Sequence, residues 1–300
     1  MSSFCPFCSS TKFKPSHLPD TYFNNKNFSY LKCENCKLIY LSPFPAPEDY
    51  VVMYPPSYQS GINTQINENE KLAGLRFPYK KHFELINKFS PGKKIIDYGC
   101  GHANFVLNAN KKGYTCDGVE YNPVHVDLLK KEIPTSSFYL IDDFLKRNDL
   151  KYDVIRLSNV LEHLDNPNQI VQTLVSKLNP KGILLVEGPI ETNFNLAFLF
   201  RLVYFKLSKL LNKNRKVTHS PTHIFFSNST NQKEFFIQNN LTELDFEVTE
   251  CEWPFPENFS EVNSIGMFFK WVIAKKSKFF SYFIKNWGNT FIYVGTKKNN

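Results

Sequence analysis

The stretch Asp97-Tyr98-Gly99-Cys100-Gly101 puts a carboxylate beside two glycines, residue types that let a backbone turn close around a small charged molecule. In a dinucleotide fingerprint, G-x-G-x-x-G, the third glycine would fall where Asn104 stands, so that fingerprint fails. Asp97 would repel a pyrophosphate but suits the ammonium of an aminoacyl group. Glu120 follows Gly101 by 19 residues, where a carboxylate accepts hydrogen bonds from two ribose hydroxyls. A second constellation is sulfur. Cys5-Pro6-Phe7-Cys8 and Cys33-Glu34-Asn35-Cys36 are two C-x2-C pairs with 24 residues between them. Two such knuckles aim four thiolates at one point and close a tetrahedral structural zinc site with no open position for catalysis. A third is imidazole. His163 follows Glu162, and its titration near neutrality suits removal of a proton from an attacking hydroxyl. His219 and His223 have a spacing that metal ligands use, but no third ligand is near in sequence.

These groups need elements to hold them. Ile95 and Ile96 predict a buried strand before the glycine turn. A helix predicted from about His102 to Lys112 would point its free N–H groups at whatever occupies the turn. Further strands are expected over Tyr114–Glu120, Ser136–Ile141, Tyr152–Asn159, Ile183–Val186, Phe246–Trp253 and Thr290–Thr296. Helices are expected over Leu72–Phe89, Pro123–Glu132, Gln169–Leu178 and Thr230–Asn239. Strand, helix and strand alternate with short links, the pattern of a parallel sheet with helices on both faces. Near the N-terminus, Leu38 to Leu41 reads as a strand running into Pro43, Pro45 and Pro47, which predict a stiff, non-helical connector followed by Tyr50, Tyr54 and Tyr58.

Composition bounds the rest. With 42% hydrophobic residues the chain has enough for a sizeable core. No long charge-free apolar run predicts a spanning helix. No basic region leads into an apolar stretch at the N-terminus, so the expectation is a cytoplasmic protein. In that setting four clustered cysteines read as a metal site rather than disulfides. The formal charge of +8 points to anionic partners. Two segments, 194–216 and 267–287, combine apolar helical spacing with lysines. The first reads as a lid on the core or as a basic amphipathic helix, the second as another basic amphipathic helix, and such helices can lie peripherally on an anionic membrane surface, the inner membrane face for a cytoplasmic protein.

The run Asp97-Tyr98-Gly99-Cys100-Gly101-His102-Ala103 resembles the D-x-G-C-G-x-G motif of class I S-adenosylmethionine-dependent methyltransferases, with Ala103 in place of the last glycine. Tyr152 to Ile155, then Val160-Leu161-Glu162-His163-Leu164 and Asp165-Asn166-Pro167, resemble the corresponding string of methyltransferases related to ubiquinone-pathway and sugar enzymes. The paired cysteines, the run Cys36-Lys37-Leu38-Ile39-Tyr40, the prolines and the tyrosines resemble zinc-headed methyltransferases of bacterial sugar and polysaccharide pathways.

The resemblance implies a doubly wound, seven-stranded, mostly parallel α/β sheet, Rossmann-like, whose last strand inserts between the fifth and sixth. It divides the chain into a zinc ribbon-like head over residues 1–48, a tyrosine-rich connector over 49–91, and a methyltransferase domain over 92–300 with an insertion at 190–228. It implies S-adenosylmethionine held by Asp97, Gly99, Cys100, Gly101, Glu120, Tyr121 and Asn159, with Asp142 or Asp143 on the adenine amino group. Glu162 and His163 then stand at the lip of the acceptor site. His223, in a His-x-x-Phe run, is a second candidate base. Tyr58 and His219 are candidate substrate contacts. The implied acceptor is a sugar, as a nucleotide sugar or as a glycan, capsule or lipopolysaccharide precursor, free or lipid-linked. A zinc-headed RNA methyltransferase and a non-catalytic scaffold of the same fold are the rival readings. The head carries no basic-aromatic stripe, which argues against nucleic acid.

Overall fold

In this computed structural model residues 4–54, 79–211, 218, 220–251, 255–256 and 258–298 are described. Their strands, in chain order, are β1 (Phe13–Pro15), β2 (Thr21–Phe23), β3 (Lys26–Cys33), β4 (Ile39–Ser42), β5 (Lys94–Tyr98), β6 (Thr115–Glu120), β7 (Phe138–Leu140), β8 (Tyr152–Ser158), β9 (Leu178–Pro189), β10 (Phe225–Phe226), β11 (Leu241–Thr249) and β12 (Thr290–Lys297). The helices are α1 (Pro47–Met53), α2 (Tyr79–Phe89), α3 (Asn104–Lys111), α4 (Pro123–Glu132), α5 (Ile141–Lys146), α6 (Pro167–Ser176), α7 (Leu196–Leu211), α8 (Ser229–Gln238) and α9 (Ile265–Ser281). The chain divides into two compact units, one of residues 1–46, 189–235 and 247–291, the other of 47–188, 236–246 and 292–300.

The larger sheet has seven strands in the order β11-β12-β9-β8-β5-β6-β7. Pairs β5/β6, β6/β7, β5/β8 and β8/β9 are parallel. The chain builds outward through β6 and β7, then returns to place β8 on the other side of β5, so the switch point lies at the carboxyl ends of β5 and β8. This is the doubly wound, class I arrangement expected from the sequence, with β12 between β9 and β11. Strands β5, β8 and β9 are covered on both faces, which is why they read as apolar runs rather than alternating ones. On one face the core joins Phe83 and Ile86 of α2, Phe105 and Val106 of α3, and Leu129 of α4 to Ile95 and Val154 of the sheet.

Local chemistry explains where elements begin. Pro123 and Pro167 open α4 and α6, where a missing N–H costs nothing, and Asn122 and Asn166 cap them. The same rule corrects the expected non-helical connector: Pro47 is the first residue of α1, because proline ends a helix only from inside it. The strand expected over Ser136–Ile141 is shorter, and Asp142 and Asp143 fall in the first turn of α5, where acidic side chains suit the helix dipole. The strand expected at Phe246 begins at Leu241, directly after Asn240 turns the chain through a left-handed conformation.

In the first unit, β3 pairs antiparallel with β1, β2 and β4, and β10 adds to the far edge of β4. The head sheet is therefore completed by a strand from residues 225–226, and Phe7 packs on both Phe225 and Phe235. Helices α7 and α9 pack against each other. Trp287 Nε1 donates to Ser277 Oγ, and the Asn193 amide donates to the carbonyls of Asn286 and Gly288.

Glu250 is buried in this unit and accepts from the Asn195 amide. Burial pushes its carboxyl up to about 7, against the pull of Ser277, Asn195, Lys278 and Arg201. The unfolded value is about 4.3. A group raised on folding contributes stability that is full below the unfolded value and is lost as pH rises through the folded one. Glu250→Gln removes that loss. Its melting temperature should exceed the wild type's at about pH 8, by the equivalent of about 1–3 kcal/mol, and the gap should close below about pH 5. Thermal unfolding of both proteins across that range checks this.

Candidate active site and cysteine cluster

Two glycines at the end of β5 have different tasks. Gly99 lies at φ +80, and a Cβ there would meet Val160 Cγ2 at 2.4 Å. Gly101 lies at φ +49, and a Cβ there would meet nothing within 4 Å. The first glycine lets β8's end close on β5, and the second borders open space. Ala103, at the motif's last glycine position, keeps the left-handed conformation at φ 55 that glycine would adopt freely. It starts α3 without a side-chain cap, so the helix's first N–H groups remain for a ligand. Asn159 is also left-handed, at φ 52, and its N–H donates to the Glu187 carbonyl at 3.0 Å.

The turn is tied down from β6 and α4. Glu120 Oε2 accepts the Gly101 N–H at 3.0 Å, and Oε1 accepts the Tyr121 N–H at 2.8 Å. Tyr121 is half exposed beside it. His125, on α4, lies with Nε2 2.7 Å from the Gly101 carbonyl, so the ring donates there. Cys100 turns its thiol toward Gly118 of β6, and burial pushes that thiol well up. The Tyr98 hydroxyl is buried without a hydrogen-bond partner among the described residues. Burial raises it, and the charges of Asp142 and Asp165 add to the rise. Asp142 and Asp143 themselves are exposed.

Beneath the turn lies a buried polar chain. Asp97 and Arg156 are cross-strand neighbours on β5 and β8, and Arg156 Nη1 donates to Asp97 Oδ1 at 2.6 Å. Arg156 Nε lies 2.9 Å from His82 Nδ1, and His82 Nε2 lies 3.0 Å from Glu187 Oε2. An arginine only donates, so His82 Nδ1 must accept and Nε2 carries the proton given to Glu187. That neutral tautomer agrees with burial and the Arg156 charge holding the imidazole below its ordinary value. Burial alone would raise Glu187, but His82, Arg156 and the Ser158 hydroxyl together hold its carboxyl down. The guanidinium also stacks over Phe105 of α3, 4.1 Å from the ring centre. Sequence reading missed His82, His125, Arg156 and Glu187. The available signal was a charge inside the otherwise apolar runs of β8 and β9.

Past β8, a single helical turn carries Glu162 and His163. Glu162 is buried, and neither carboxylate oxygen has a hydrogen-bond partner among the described residues. Its Oε1 is 3.8 Å from His163 Nε2. On the other side of the ring, His163 Nδ1 is 3.1 Å from the Tyr54 hydroxyl. Tyr50 is close by, raised by burial and by the charge of Asp165, with smaller effects of Tyr54 and Tyr121. The tyrosine that meets the predicted histidine is thus Tyr54. Tyr58 and His219 lie outside the described residues. His223 belongs to the first unit, where its Nδ1 is 2.5 Å from Glu191 Oε1.

The cysteines converge as their spacing predicts. Cys5 and Cys36 sulfurs are 3.5 Å apart, Cys8 and Cys33 sulfurs 3.6 Å, and all four lie within 4.8 Å of one another. Disulfides need about 2.05 Å, so the thiols are separate. Four ligands at about 2.3 Å from one zinc would stand roughly 3.8 Å apart, close to this arrangement. Ser9 and Lys37, each directly after a knuckle's second cysteine, take left-handed conformations that fold the chain back.

A family model described as "Methyltransferase domain" matches residues 74–244. The ubiquinone biosynthesis O-methyltransferase of Actinobacillus pleuropneumoniae serotype 7 (strain AP76) is 26% identical over 145 residues, 40% of this chain and 62% of the relative. The protein of the same name from Rickettsia bellii (strain OSU 85-389) is 27% identical over 118 residues, 36% of this chain and 45% of the relative. These matches span about half the length of the curated relatives. Among solved structures, a SAM dependent methyltransferase from Archaeoglobus fulgidus aligns with a TM-score of 0.43 and 16% identity, covering 73% of this chain and 92% of that one.

The open space at Gly101 gives a direct test of the cradle. Gly99→Ala should lose about 2–4 kcal/mol of stability through the Val160 clash and the positive φ. Gly101→Ala should lose about 1 kcal/mol, because only the left-handed backbone resists it. Urea unfolding should therefore rank Gly99→Ala far below Gly101→Ala.

Proposed function

The chain belongs to the methyltransferase-domain family, and we propose that it is an S-adenosylmethionine-dependent methyltransferase that methylates a hydroxyl oxygen of a sugar acceptor, a nucleotide sugar or a glycan precursor, free or lipid-linked. Bound S-adenosylmethionine supplies an electrophilic methyl group on a sulfonium. The residues present fit it. Gly101 leaves room beside the turn, the uncapped start of α3 offers N–H groups to a carboxylate, and Glu120 can pass its oxygens from the backbone to ribose hydroxyls. Asp97 and Asn159 shape the turn from below, Tyr121 offers a ring face, and Asp142, close enough to act on Tyr98, is preferred over Asp143 for the adenine amino group.

The observation that carries the acceptor reading is the Tyr54–His163–Glu162 arrangement. With Nδ1–H donating to Tyr54, His163 Nε2 is the atom that takes the proton of an attacking hydroxyl, and the buried Glu162 carboxylate then faces the imidazolium. Aromatic faces and a carboxylate whose oxygens are unmet among the described residues match a sugar, which offers C–H faces and hydroxyl donors together. The names of the relatives support oxygen as the atom methylated. Main-chain and side-chain positioning supplies the rest of the rate. The convergence of Cys5, Cys8, Cys33 and Cys36 supports a structural zinc ion, which these four residues would hold with no ligand position left open for methyl transfer.

Calorimetric titration with S-adenosylhomocysteine should give micromolar binding to the wild type, little to Gly101→Ala and none to Glu120→Ala. Absence of binding to folded wild type would overturn the donor site. With labelled donor, sugar nucleotides should accept label, and His163→Ala should lower kcat by about 10²–10⁴. Label passing only to catechol-type phenols, or only to RNA, would sink the sugar reading. Elemental analysis of unchelated protein should find about one zinc per chain, and chelation should lower the melting temperature. Metal-free protein that melts at the same temperature would remove the zinc proposal.

A further inference from the structure

The positive charge of this chain is not spread evenly. Segments 192–233 and 262–300 hold 14 of the 36 Lys and Arg and none of the 28 Asp and Glu, leaving 22 basic against 28 acidic residues elsewhere. The molecule's whole basic excess sits in these two segments. They contain α7 and α9, which pack on each other within the first unit.

Both helices also expose apolar residues in helical register. On α7 the stripe is Phe200, Tyr204, Leu207 and Leu211, the last 88% exposed. On α9 it is Ile265, Phe269 and Phe279, running into Phe283, which is 73% exposed. Phe279 and Phe283 touch, with ring centres 5.0 Å apart. The turn that continues α9 adds Tyr282 and Ile284. Meanwhile α9's inner side buries only Ala274 and Ser277. Its phenylalanines Phe268, Phe269, Phe279 and Phe280 are therefore exposed, the reverse of a helix that serves a core, and Trp271 is half-buried. Lys270, Lys276 and Lys285 are exposed among them.

We propose that α7 and α9, with the Phe279–Ile284 turn as the deepest point, form a docking surface for an anionic lipid bilayer, lying in its interface without crossing it. Three observations select this occupant. A second copy would set one all-basic surface against another, which repels. Protein interfaces are depleted in lysine, and this surface is studded with it. An interfacial helix needs apolar and aromatic residues on one side with lysines beside them to meet lipid phosphates, which is the composition present. Helices of 16 and 17 residues would rise about 24–26 Å, short of the hydrocarbon core, and no described helix is long and apolar enough to cross a membrane. Neither α7 nor α9 carries a residue assigned to methyl transfer, so either assignment can fail alone.

The test is flotation of the full-length protein with phosphatidylcholine vesicles containing about one third phosphatidylglycerol, against pure phosphatidylcholine vesicles. Binding should be about tenfold or more tighter to the anionic vesicles and should weaken as salt is raised. Phe279→Ser/Phe283→Ser should lose about tenfold or more, and Lys270→Glu/Lys276→Glu a similar factor. Because Phe279, Phe283, Lys270 and Lys276 are all solvent-facing, both variants should keep the wild-type melting temperature and S-adenosylhomocysteine binding, which separates loss of docking from loss of fold. The proposal is overturned if the wild type ignores anionic vesicles, or if the folded variants bind them equally well. It is also overturned if sedimentation shows a dimer that the phenylalanine substitutions dissolve, which assigns the surface to a second copy.

Discussion

A single buried guanidinium organises the second unit. Arg156 sits in a strand whose neighbours are Val154, Ile155 and Leu157, and it is almost wholly removed from water. An arginine there is tolerable only if its donors are met. Asp97 meets one, His82 another, and Phe105 lies under the plane. His82 in turn reaches Glu187. The chain of contacts ties β5, β8, β9, α2 and α3 together at the carboxyl ends of the strands. Replacing such a network by apolar residues can be neutral, but removing one member strands a charge at a cost of about 3–5 kcal/mol. Its value here is placement, since the main chain that leaves β5 and β8 has few other ways to sit.

What rests on that platform is a set of backbone conformations that ordinary residues resist. Gly99, Gly101, Ala103 and Asn159 all have positive φ within two adjacent strand-ends. Each such residue other than glycine costs about 1–2 kcal/mol, so the surroundings must over-determine the turn. Val160 against Gly99, Glu120 on the Gly101 N–H and His125 on the Gly101 carbonyl do so. The alanine at position 103 shows how firm this hold is: it is kept left-handed and fully buried where glycine would be relaxed.

The first unit solves a different problem. A short head of small strands has little core, and four cysteines supply a point of closure. The strand at residues 225–226 and the Phe7–Phe225–Phe235 contacts give it an aromatic floor drawn from far along the chain. Further on, the same unit keeps Glu250 buried among amide and hydroxyl donors while leaving the large residues of α9 outward. Around α9, Glu250 and Ser277 are inside while Phe269, Phe279 and Phe283 are outside, a local inversion that a stability argument alone does not explain.

The strand–turn–helix at Gly99, the sheet class and the cysteine cluster are legible from the residues alone. Each of these is set by local chemistry: glycine where φ is positive, apolar runs where both sheet faces are covered, paired knuckles that need no long-range information. So is the placing of Glu162 and His163 directly after β8. The folded chain adds that Tyr54 meets His163 across 109 positions, that His82 joins Arg156 across 74, and that Glu120 closes on Gly101. It likewise adds that Pro47 opens a helix instead of preventing one. The physical reason is that side-chain pairing across distant segments depends on which strand faces which helix, and hydrophobic periodicity records the face a residue takes but not the residue it meets there.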